Sequence, residues 1–432
     1  AYAIDGPRNE PVPITRISAV VILDGVVDEP FWDSIAPLPM SMYSPVFGGQ
    51  LTERTEVRLA HDDEFFYMSG RLYDSEPDGI RTNTLYRDLY SGDDLLAFVV
   101  DSYNDYETAV WFITNPAGVR NGRSISNDAE FTGGIPMNQD WNAHWDVKTT
   151  QNEEGWFVEF RIPFSTLGFQ AVDGQVTMGL TSYRVIARKN ERQIYPAIEP
   201  VWGRIGFAKP SQSQRISLQD VVQATPVYVT PFWLGGLTQT PALRSPPDVP
   251  AARWRTDDLP MREMGVDLRF SPTSNLALDV TLNTDFAQAE ADAQQINLTR
   301  FPLFFPEKRQ FFQERSSTFD FNTGGFTDRL FHSRRIGLSG GEIVRIYGGA
   351  RAVGRLGGTD FGFLNMQTAG VGTAGSENVG ILRLSQQVLN PYSSVGAMLT
   401  SRLSSAGTNN IALGADASFR LIGDEYAILK MA

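Results

Sequence analysis

The stretch DWNAHW, residues 140–145, combines two tryptophans with side chains that hydrogen-bond to hydroxyl groups. Flat aromatic faces stack on the C–H faces of pyranose rings, and a few polar groups then fix the ligand's orientation. The stretch follows a polar segment, so it is either a sugar-binding loop or a buried edge of the fold. The candidate saccharide-binding residues are Asp140, Trp141, Asn142, His144 and Trp145, together with Trp111 and Trp202 elsewhere in the chain.

Four aspartates between residues 93 and 105 offer the hard oxygen ligands that calcium prefers. Asp93, Asp94, Asp101 and Asp105 have a spacing compatible with one structural calcium ion, although they do not follow the EF-hand pattern. A solvated acidic loop explains the same residues. Calcium is the only cofactor that we expect from the sequence.

Catalytic chemistry has no distinct signal in this chain. A glycosidase needs two carboxylates about 5–10 Å apart, and nothing singles out one pair among 50 acidic residues. The motifs G-x-S-x-G, H-E-x-x-H and the P-loop are absent, and the three histidines are dispersed. A surface hydrolase that cleaves the O-glycosyl bonds of polysaccharide therefore stays an alternative without assigned catalytic residues.

The elements that position these residues differ between the two halves of the chain. Residues 14–218 contain short apolar stretches such as LLAFVVD (95–101) and GWFVEFRIPF (155–164), separated by Gly, Asn and Asp. This spacing predicts an antiparallel, jelly-roll-like β-sandwich. We therefore predict a sandwich domain at residues 1–218.

The second half, residues 219–432, has longer strands with strict alternation of period two. In residues 276–282, Leu276, Leu278, Val280 and Leu282 point one way, while Asp279 and Thr281 point the other. Residues 346–355 and 411–420 show the same separation of apolar and charged faces. In a soluble sheet the polar face meets water, whereas in a membrane barrel it lines the lumen and the apolar face meets lipid.

Loop lengths favour the membrane barrel. The alternation predicts nine strands, near 224–240, 262–271, 274–285, 343–356, 359–368, 378–388, 393–403, 409–421 and 424–432. Every second connection is a tight turn such as SPTSN or NPYSS, whereas the other connections include the long loops 241–261 and 286–342. Short turns at one end and long loops at the other are typical of an outer-membrane barrel with periplasmic turns. Because bacterial barrels have even strand numbers, we expect this sheet to be part of a longer protein.

The stretch RFPLFFPEKRQFFQE, residues 300–314, places five phenylalanines in the longest loop. Exposed to water they would form an unfavourable apolar patch, and two prolines prevent regular strand pairing. We predict that the segment folds inward as a plug or constriction, or else forms a rigid extracellular cap. The plug residues are Phe301, Phe304, Phe305, Glu307, Lys308, Arg309, Phe311 and Phe312. We expect Glu307, Lys308, Arg309 and Glu314 to pair with Arg345, Arg351, Asp279 or Asp416.

Composition restricts the partners. The formal net charge of −13 and the lack of a Lys/Arg cluster argue against nucleic acid, because phosphate backbones attract clustered positive charge. The chain has no cysteine, which excludes a disulfide framework and cysteine-ligated zinc.

The opening VVILDGVVDEPFW (20–32) resembles the start of a family 9 carbohydrate-binding module. Residues 54–77, 93–105 and 145–169 fit the same module in the same order. The second half resembles the barrel that follows this module in a family of uncharacterised bacterial outer-membrane proteins, most clearly at residues 282–321 and 330–338. The resemblance implies a surface-located, sugar-associated protein, and it adds weight to structural calcium.

From these observations we predict an outer-membrane protein that binds, and in one version passes, saccharides or glycoconjugates. The sandwich is its carbohydrate-binding module and the barrel its anchor or channel. Its expected partners are a saccharide or glycoconjugate ligand, outer-membrane lipid and other membrane proteins. A structural cell-surface scaffold is a further alternative. If the tight turns are periplasmic, the sandwich also lies on the periplasmic side.

Overall fold

The structure, a computed structural model, describes residues 10–131, 135–203, 205–222, 225–244, 253–284, 307–323, 328–339, 342–370, 375–422 and 425–432. Strands dominate the described residues, and the two α-helices, α1 (Pro30–Asp33) and α2 (Phe164–Leu167), have four residues each. None of the helices described is long and apolar enough to cross a membrane. The all-β prediction is confirmed.

The strands of the first part are β1 Val12–Pro13, β2 Thr15–Arg16, β3 Ser41–Ser44, β4 Thr55–His61, β5 Phe65–Tyr73, β6 Leu95–Asp101, β7 Ala109–Thr114, β8 Asn121–Ile125, β9 Met137–Asn138, β10 Asp146–Asn152, β11 Gly155–Pro163, β12 Ala171–Val172, β13 Gln175–Ile186, β14 Glu191–Tyr195 and β15 Gln214–Gln219. Those of the second part are β16 Val227–Arg244, β17 Arg253–Thr273, β18 Leu276–Leu282, β19 Leu338–Ser339, β20 Glu342–Ile343, β21 Ile346–Leu356, β22 Thr359–Thr368, β23 Glu377–Gln387, β24 Ser394–Ser404, β25 Asn409–Ile422 and β26 Glu425–Met431.

The first part is a sandwich of two sheets. The larger sheet follows the order β1-β15-β13-β6-β7-β8-β9, with β12, β14 and β3 attached, and the smaller follows β10-β11-β5-β4-β2. The side chains between the two sheets form the main core, in which the rings of Phe98 and Phe160 meet edge to face at 5.1 Å. The predicted sandwich is confirmed.

The second part is a nine-stranded antiparallel sheet in the order β16-β17-β18-β21-β22-β23-β24-β25-β26. Among the described strands β16 and β26 form its two edges, so the sheet is open here and no closed barrel is seen. The prediction of a long loop at 241–261 is wrong, because β16 continues to Arg244 and β17 begins at Arg253. Residues 253–261, RWRTDDLPM, show no clear alternation of polar and apolar residues, and it is their pairing with β16 that makes them a strand.

The two faces of the nine-stranded sheet differ sharply in polarity. One outward row crosses eight strands through directly paired residues: Val227, Phe270, Leu278, Ala352, Phe363, Leu382, Leu399 and Leu413. Phe363 and Leu382 are each 44% exposed, and Leu413 is 66% exposed. The opposite face carries charged residues that are nevertheless buried, including Asp279, Arg351 and Arg383. The outward row is therefore apolar, whereas the covered face combines buried charged residues with buried apolar ones.

Residues 307–322, the covering segment, lie over this charged face. Phe311, Phe312, Phe319 and Phe321 are buried in a cluster with sheet residues that include Ile346, Val353, Leu364, Met366, Ile381 and Met398. Short 3-10 helices at Gln310–Phe312 and Ser316–Phe319 turn these rings towards the sheet.

The sandwich contacts the tight-turn end of the nine-stranded sheet. The Phe169 amide donates to the Ser274 carbonyl at 2.9 Å, in the turn between β17 and β18. Gln170 exchanges two hydrogen bonds with the backbone of Gly357, at 2.8 and 3.2 Å, in the turn between β21 and β22. The ring of Tyr106 meets that of Tyr392 at 5.1 Å, beside the turn between β23 and β24. Three successive tight turns thus form the docking surface.

Candidate functional site

A cavity of about 340 Å³ lies where the sandwich, the nine-stranded sheet and the covering segment meet. We call it the junction cavity. Its lining includes Tyr103, Asn142, His144, Ser165 and Thr166 from the sandwich, Tyr228, Asp267, Arg269 and Asp279 from the sheet, and Gln310, Phe311 and Glu314 from the covering segment. Small-molecule sites typically have volumes of about 300–1,000 Å³, so the cavity is large enough for a small ligand.

The two tryptophans of DWNAHW do not face this cavity. Trp141 is 5% exposed and Trp145 is 2% exposed, and both rings pack in the sandwich core. Trp145 stacks on Phe160 at 5.8 Å, and the ring of Phe112 meets both indoles edge to face. The structure therefore exposes no indole face at either position, and the core accounts for both residues. Their role as a sugar platform stays a prediction.

The polar residues of the same stretch are exposed. Asn142 and His144 both line the junction cavity, and Asn142 accepts a hydrogen bond from Arg87. The imidazole of His144 lies parallel to the ring of Tyr228, with centroids 5.5 Å apart and planes 17° apart. Thr166 donates to the His144 carbonyl at 2.6 Å and so fixes the loop against α2. The alternation of buried tryptophans with exposed polar residues directs Asn142 and His144 towards the cavity.

The charged wall of the cavity comes from the sheet and the covering segment. Arg269 on β17 donates to Asp279 on β18 at 2.7 Å and to Glu314 at 3.2 Å. The side chains of Arg269 and Glu314 are 25% and 28% exposed, so both retain accessible surface. Tyr228, opposite Arg269 in the sheet register, donates to Ser165 at 3.3 Å.

This arrangement provides a partly apolar ring surface beside hydrogen-bonding groups. Tyr228 and His144 offer ring faces, while Asn142, Arg269 and Glu314 offer donors and acceptors. Tyr228 and Arg269 were not among the candidates from the sequence, and Glu314 was expected only to form an ion pair in the long loop. Tyr228 and Arg269 do lie on the polar face of period-two strands, but only the docking of the sandwich shows that this end of the face adjoins a cavity.

The remaining predicted sugar-binding residues lie in other surroundings. Trp111 is 3% exposed and packs against Tyr183 and Phe207 in a second core of the sandwich. Trp202 is half-buried, and the guanidinium of Arg420 lies 5.6 Å from its ring. The Asp140 amide donates to Asn138 at 3.0 Å, in an exposed turn. The structure thus brings Asn142 and His144 together, but neither Trp111 nor Trp202 lines the junction cavity.

The four aspartates predicted to bind calcium are hydrogen-bonded within the protein. Asp93 accepts from the amides of Asn83, Thr84 and Ser91, and Asp94 accepts from the Ala187 amide. Asp101 accepts from Arg215 at 2.9 Å and from two amides, while Asp105 accepts from the amides of Glu107 and Thr108.

These donors occupy most of the oxygens that a cation would need, although Asp94 Oδ2 accepts no hydrogen bond, so the set as a whole fits calcium poorly. Within the described part of the chain, no group of three or more His, Cys, Asp or Glu residues is placed to hold a metal ion. Burial raises the pKa of the Asp94 carboxyl and, with repulsion from Asp105, raises that of Asp101 to about 7. Calcium stays a prediction.

The covering segment packs on the charged face of the sheet, and the described ion pairs of Glu307 and Glu314 are not the predicted ones. Glu307 accepts from Arg309 at 2.7 Å within the segment, and Arg309 also donates to the carbonyls of Ser333 and Ile336. Asp279 accepts instead from Arg269 and Arg351, and Asp416 accepts from Arg383. Glu314 pairs with Arg269, which was not among the expected partners.

The predicted pairings of Glu307 and Glu314 are therefore corrected. The chain turns into a 3-10 helix at Gln310, and Glu307 forms its ion pair within the covering segment. The charged residues of the sheet pair with one another across neighbouring strands. Lys308 is half-buried. Phe311 and Phe312 are buried against the sheet cluster, whereas Phe301, Phe304 and Phe305 lie outside the described residues. Whether the segment obstructs passage stays a prediction.

Comparisons with known proteins give one family model and several solved structures. The family model is described as a domain of unknown function (DUF5916) and matches residues 256–346. No curated protein matches the chain. The residues matched by the family model include Arg269, Asp279 and Glu314 of the junction cavity as well as the whole covering segment.

The solved structures that are similar to the chain include family 9 carbohydrate-binding modules. One, from Caldicellulosiruptor kristjanssonii in complex with cellotriose, has 16% sequence identity and a TM-score of 0.32, with 49% of this chain and 94% of that chain covered. A module from the same organism in complex with glucose has 16% identity and a TM-score of 0.32, with 49% and 96% covered.

Proposed function

We propose that this protein is a saccharide-binding protein of the bacterial outer membrane. In this proposal residues 1–218 form the binding module, and residues 219–432 form a membrane-embedded sheet that belongs to a transmembrane barrel. Outer-membrane lipid surrounds the sheet, and the ligand is a saccharide or glycoconjugate.

The observation that carries the membrane assignment is the polarity of the nine-stranded sheet. Its apolar row, from Val227 to Leu413, faces outward across eight strands, whereas Asp279 and Arg351 are covered. A sheet in water gains nothing from this arrangement, because it exposes apolar surface and buries charge. A sheet with its outer face in lipid gains from both features.

The same arrangement supports a periplasmic sandwich. The sandwich contacts the tight turns at Ser274, Gly357 and Tyr392, and short turns of outer-membrane barrels are periplasmic. Sugar handled by this domain is then either material that has already crossed the membrane or the cell's own glycan.

Saccharide binding is supported by the resemblance of residues 20–32, 54–77, 93–105 and 145–169 to family 9 modules, and by the junction cavity. The first probes are cellotriose and glucose, the sugars in the two module structures. Titration of the detergent-solubilised full chain by isothermal calorimetry should show saturable binding of at least one of them. Absence of binding to both, in a preparation with intact β-structure, would refute saccharide binding by this module.

The membrane assignment is tested by separate experiments. After expression in a Gram-negative host, the chain should fractionate with the outer membrane and resist extraction by alkaline carbonate. On intact cells, residues 50–210 should resist external protease and become sensitive only after the outer membrane is permeabilised. Cleavage there while the membrane is sealed would reverse the orientation.

A further inference from the structure

We propose that the junction cavity binds one uncharged pyranose unit of the saccharide, and that Tyr228 of the nine-stranded sheet is its stacking surface. This inference rests on the proposed function and deepens it. In this proposal the sugar does not bind at the tryptophans of the sandwich. It binds in a cavity whose lining needs residues of the sandwich, the nine-stranded sheet and the covering segment.

The ring of Tyr228 provides the stacking surface. Tyr228 is half-buried, so its ring retains accessible surface, and its hydroxyl is held by Ser165 across the domain boundary. The nearly parallel ring of His144 adds a second flat surface at 5.5 Å from the first. A sugar ring stacks on such a surface without a large loss of side-chain entropy, because both rings are already held in place.

Arg269 and Glu314 form a polar wall of the cavity. Arg269 is held between Asp279 and Glu314, and it retains exposed surface as Glu314 does. Vicinal hydroxyls of a pyranose match such a pair, because Glu314 accepts a hydrogen bond where Arg269 donates one. Asn142 adds an amide at the sandwich side of the cavity.

The charge balance gives the ligand class. Among the described residues that line the cavity, Arg269 is the one arginine or lysine, His144 is a histidine, and Asp267, Asp279 and Glu314 are acidic. Arg351 also pairs with Asp279, so two arginines face three carboxylates. An acidic sugar would therefore meet a net negative wall, and like charges in a partly desolvated site are costly. The wall favours neutral saccharides over uronic acids.

The experiment uses the full chain in detergent with cellotriose, glucose and glucuronate as probes. Wild type should bind a neutral sugar at least about tenfold more tightly than glucuronate. Tyr228→Ala should weaken binding about tenfold or more, the usual effect of removing a central aromatic contact, whereas Tyr228→Phe, which keeps the ring, should stay within about threefold. Trp202→Ala tests the alternative that the sugar binds at this half-buried tryptophan. Tyr86→Ala is the matched surface control, because Tyr86 is 75% exposed.

A direct readout is the imidazole spectrum, because the chain has only three histidines and His61 is buried. A saturating neutral sugar should shift the His144 resonance, assigned with His144→Gln, and leave that of His61 unchanged. Wild type that binds sugar while Tyr228→Ala binds equally well, or a His144 resonance that does not move, overturns this inference and leaves the proposed function standing. Wild type that binds none of the probes refutes saccharide binding itself. Circular dichroism of each variant checks that the fold is retained.

Discussion

Asp279 lies directly opposite Arg351 on neighbouring strands and accepts a hydrogen bond from it at 3.0 Å on the covered face of the sheet. Their chain neighbours Leu278 and Ala352 are also opposite each other but point outward. Arg269, the cross-strand neighbour of Asp279 on its other side, donates to the same carboxylate at 2.7 Å. The charged face is thus a paired network, which stabilises an arrangement that would otherwise cost free energy.

The first prediction concerns this network. Asp279→Ala leaves Arg351, which is 2% exposed, and Arg269 without their shared carboxylate. Removing one partner of a buried ion pair leaves an uncompensated charge, so the variant should lose about 3–5 kcal/mol of unfolding free energy. Thermal unfolding in detergent, followed by circular dichroism, measures the loss. The control is Glu377→Ala, which breaks the more exposed pair with Arg402 and should cost under about 1 kcal/mol. Equal losses in the two variants would contradict the proposed importance of the covered network.

The second prediction tests which solvent the apolar row faces. Leu382→Arg places a charge in the middle of that row, where a lipid-facing position should cost about 2–4 kcal/mol. We expect a reduced folded fraction after refolding into liposomes, measured by the electrophoretic shift between folded and heated protein. Tyr86→Arg, at an exposed position of the sandwich, should fold as wild type does. If Leu382→Arg folds as well as Tyr86→Arg and the protein stays soluble without detergent, the row faces water.

The third prediction is a pH dependence of the sandwich. Glu159 on β11 is 1% exposed, one of its oxygens has no hydrogen-bond partner, and burial raises the pKa of its carboxyl from 4.5 to about 7. An acid whose folded pKa is raised stabilises the fold below its unfolded pKa, and this contribution is lost as pH rises through the folded pKa. Stability should therefore fall from about pH 4.5 to pH 7, with a slope approaching about 1.4 kcal/mol per pH unit from this group.

Glu159→Gln mimics the neutral carboxyl and should remove that slope. Unfolding temperatures between pH 4.5 and 8 measure the effect, and Glu153→Gln at an exposed position is the control. A slope that persists unchanged in Glu159→Gln assigns the dependence to another group.

The fourth prediction separates core from sugar platform at Trp145. Since Trp145 packs on Phe160 and Phe112 in the sandwich core, Trp145→Ala should destabilise the domain by about 3–5 kcal/mol. The urea midpoint followed by circular dichroism measures this change. Trp202→Ala, at a half-buried position, should cost clearly less. A stable Trp145→Ala variant that has lost sugar binding would restore the platform interpretation.

The sequence alone determined the number and most of the extent of the strands in the nine-stranded sheet. Alternation of side chains is local, so it placed β22 at the observed Thr359–Thr368 and β25 within one residue of its observed end. It also identified which residues share a face, because the period of two requires no knowledge of neighbours. The alternation missed the first nine residues of β17, because their strand conformation depends on pairing with β16 and not on their own sequence pattern.

Only the tertiary structure decided which residues meet. DWNAHW has the composition of a binding loop, yet the packing of two sheets buries its tryptophans and exposes Asn142 and His144. The charged face was predictable but its pairs were not, because several arginines share that face and any of them can reach a given carboxylate. Tyr228, Arg269 and Glu314 become one cavity wall only when the sandwich docks on the tight turns and the covering segment folds back, both of which are contacts between residues far apart in the chain.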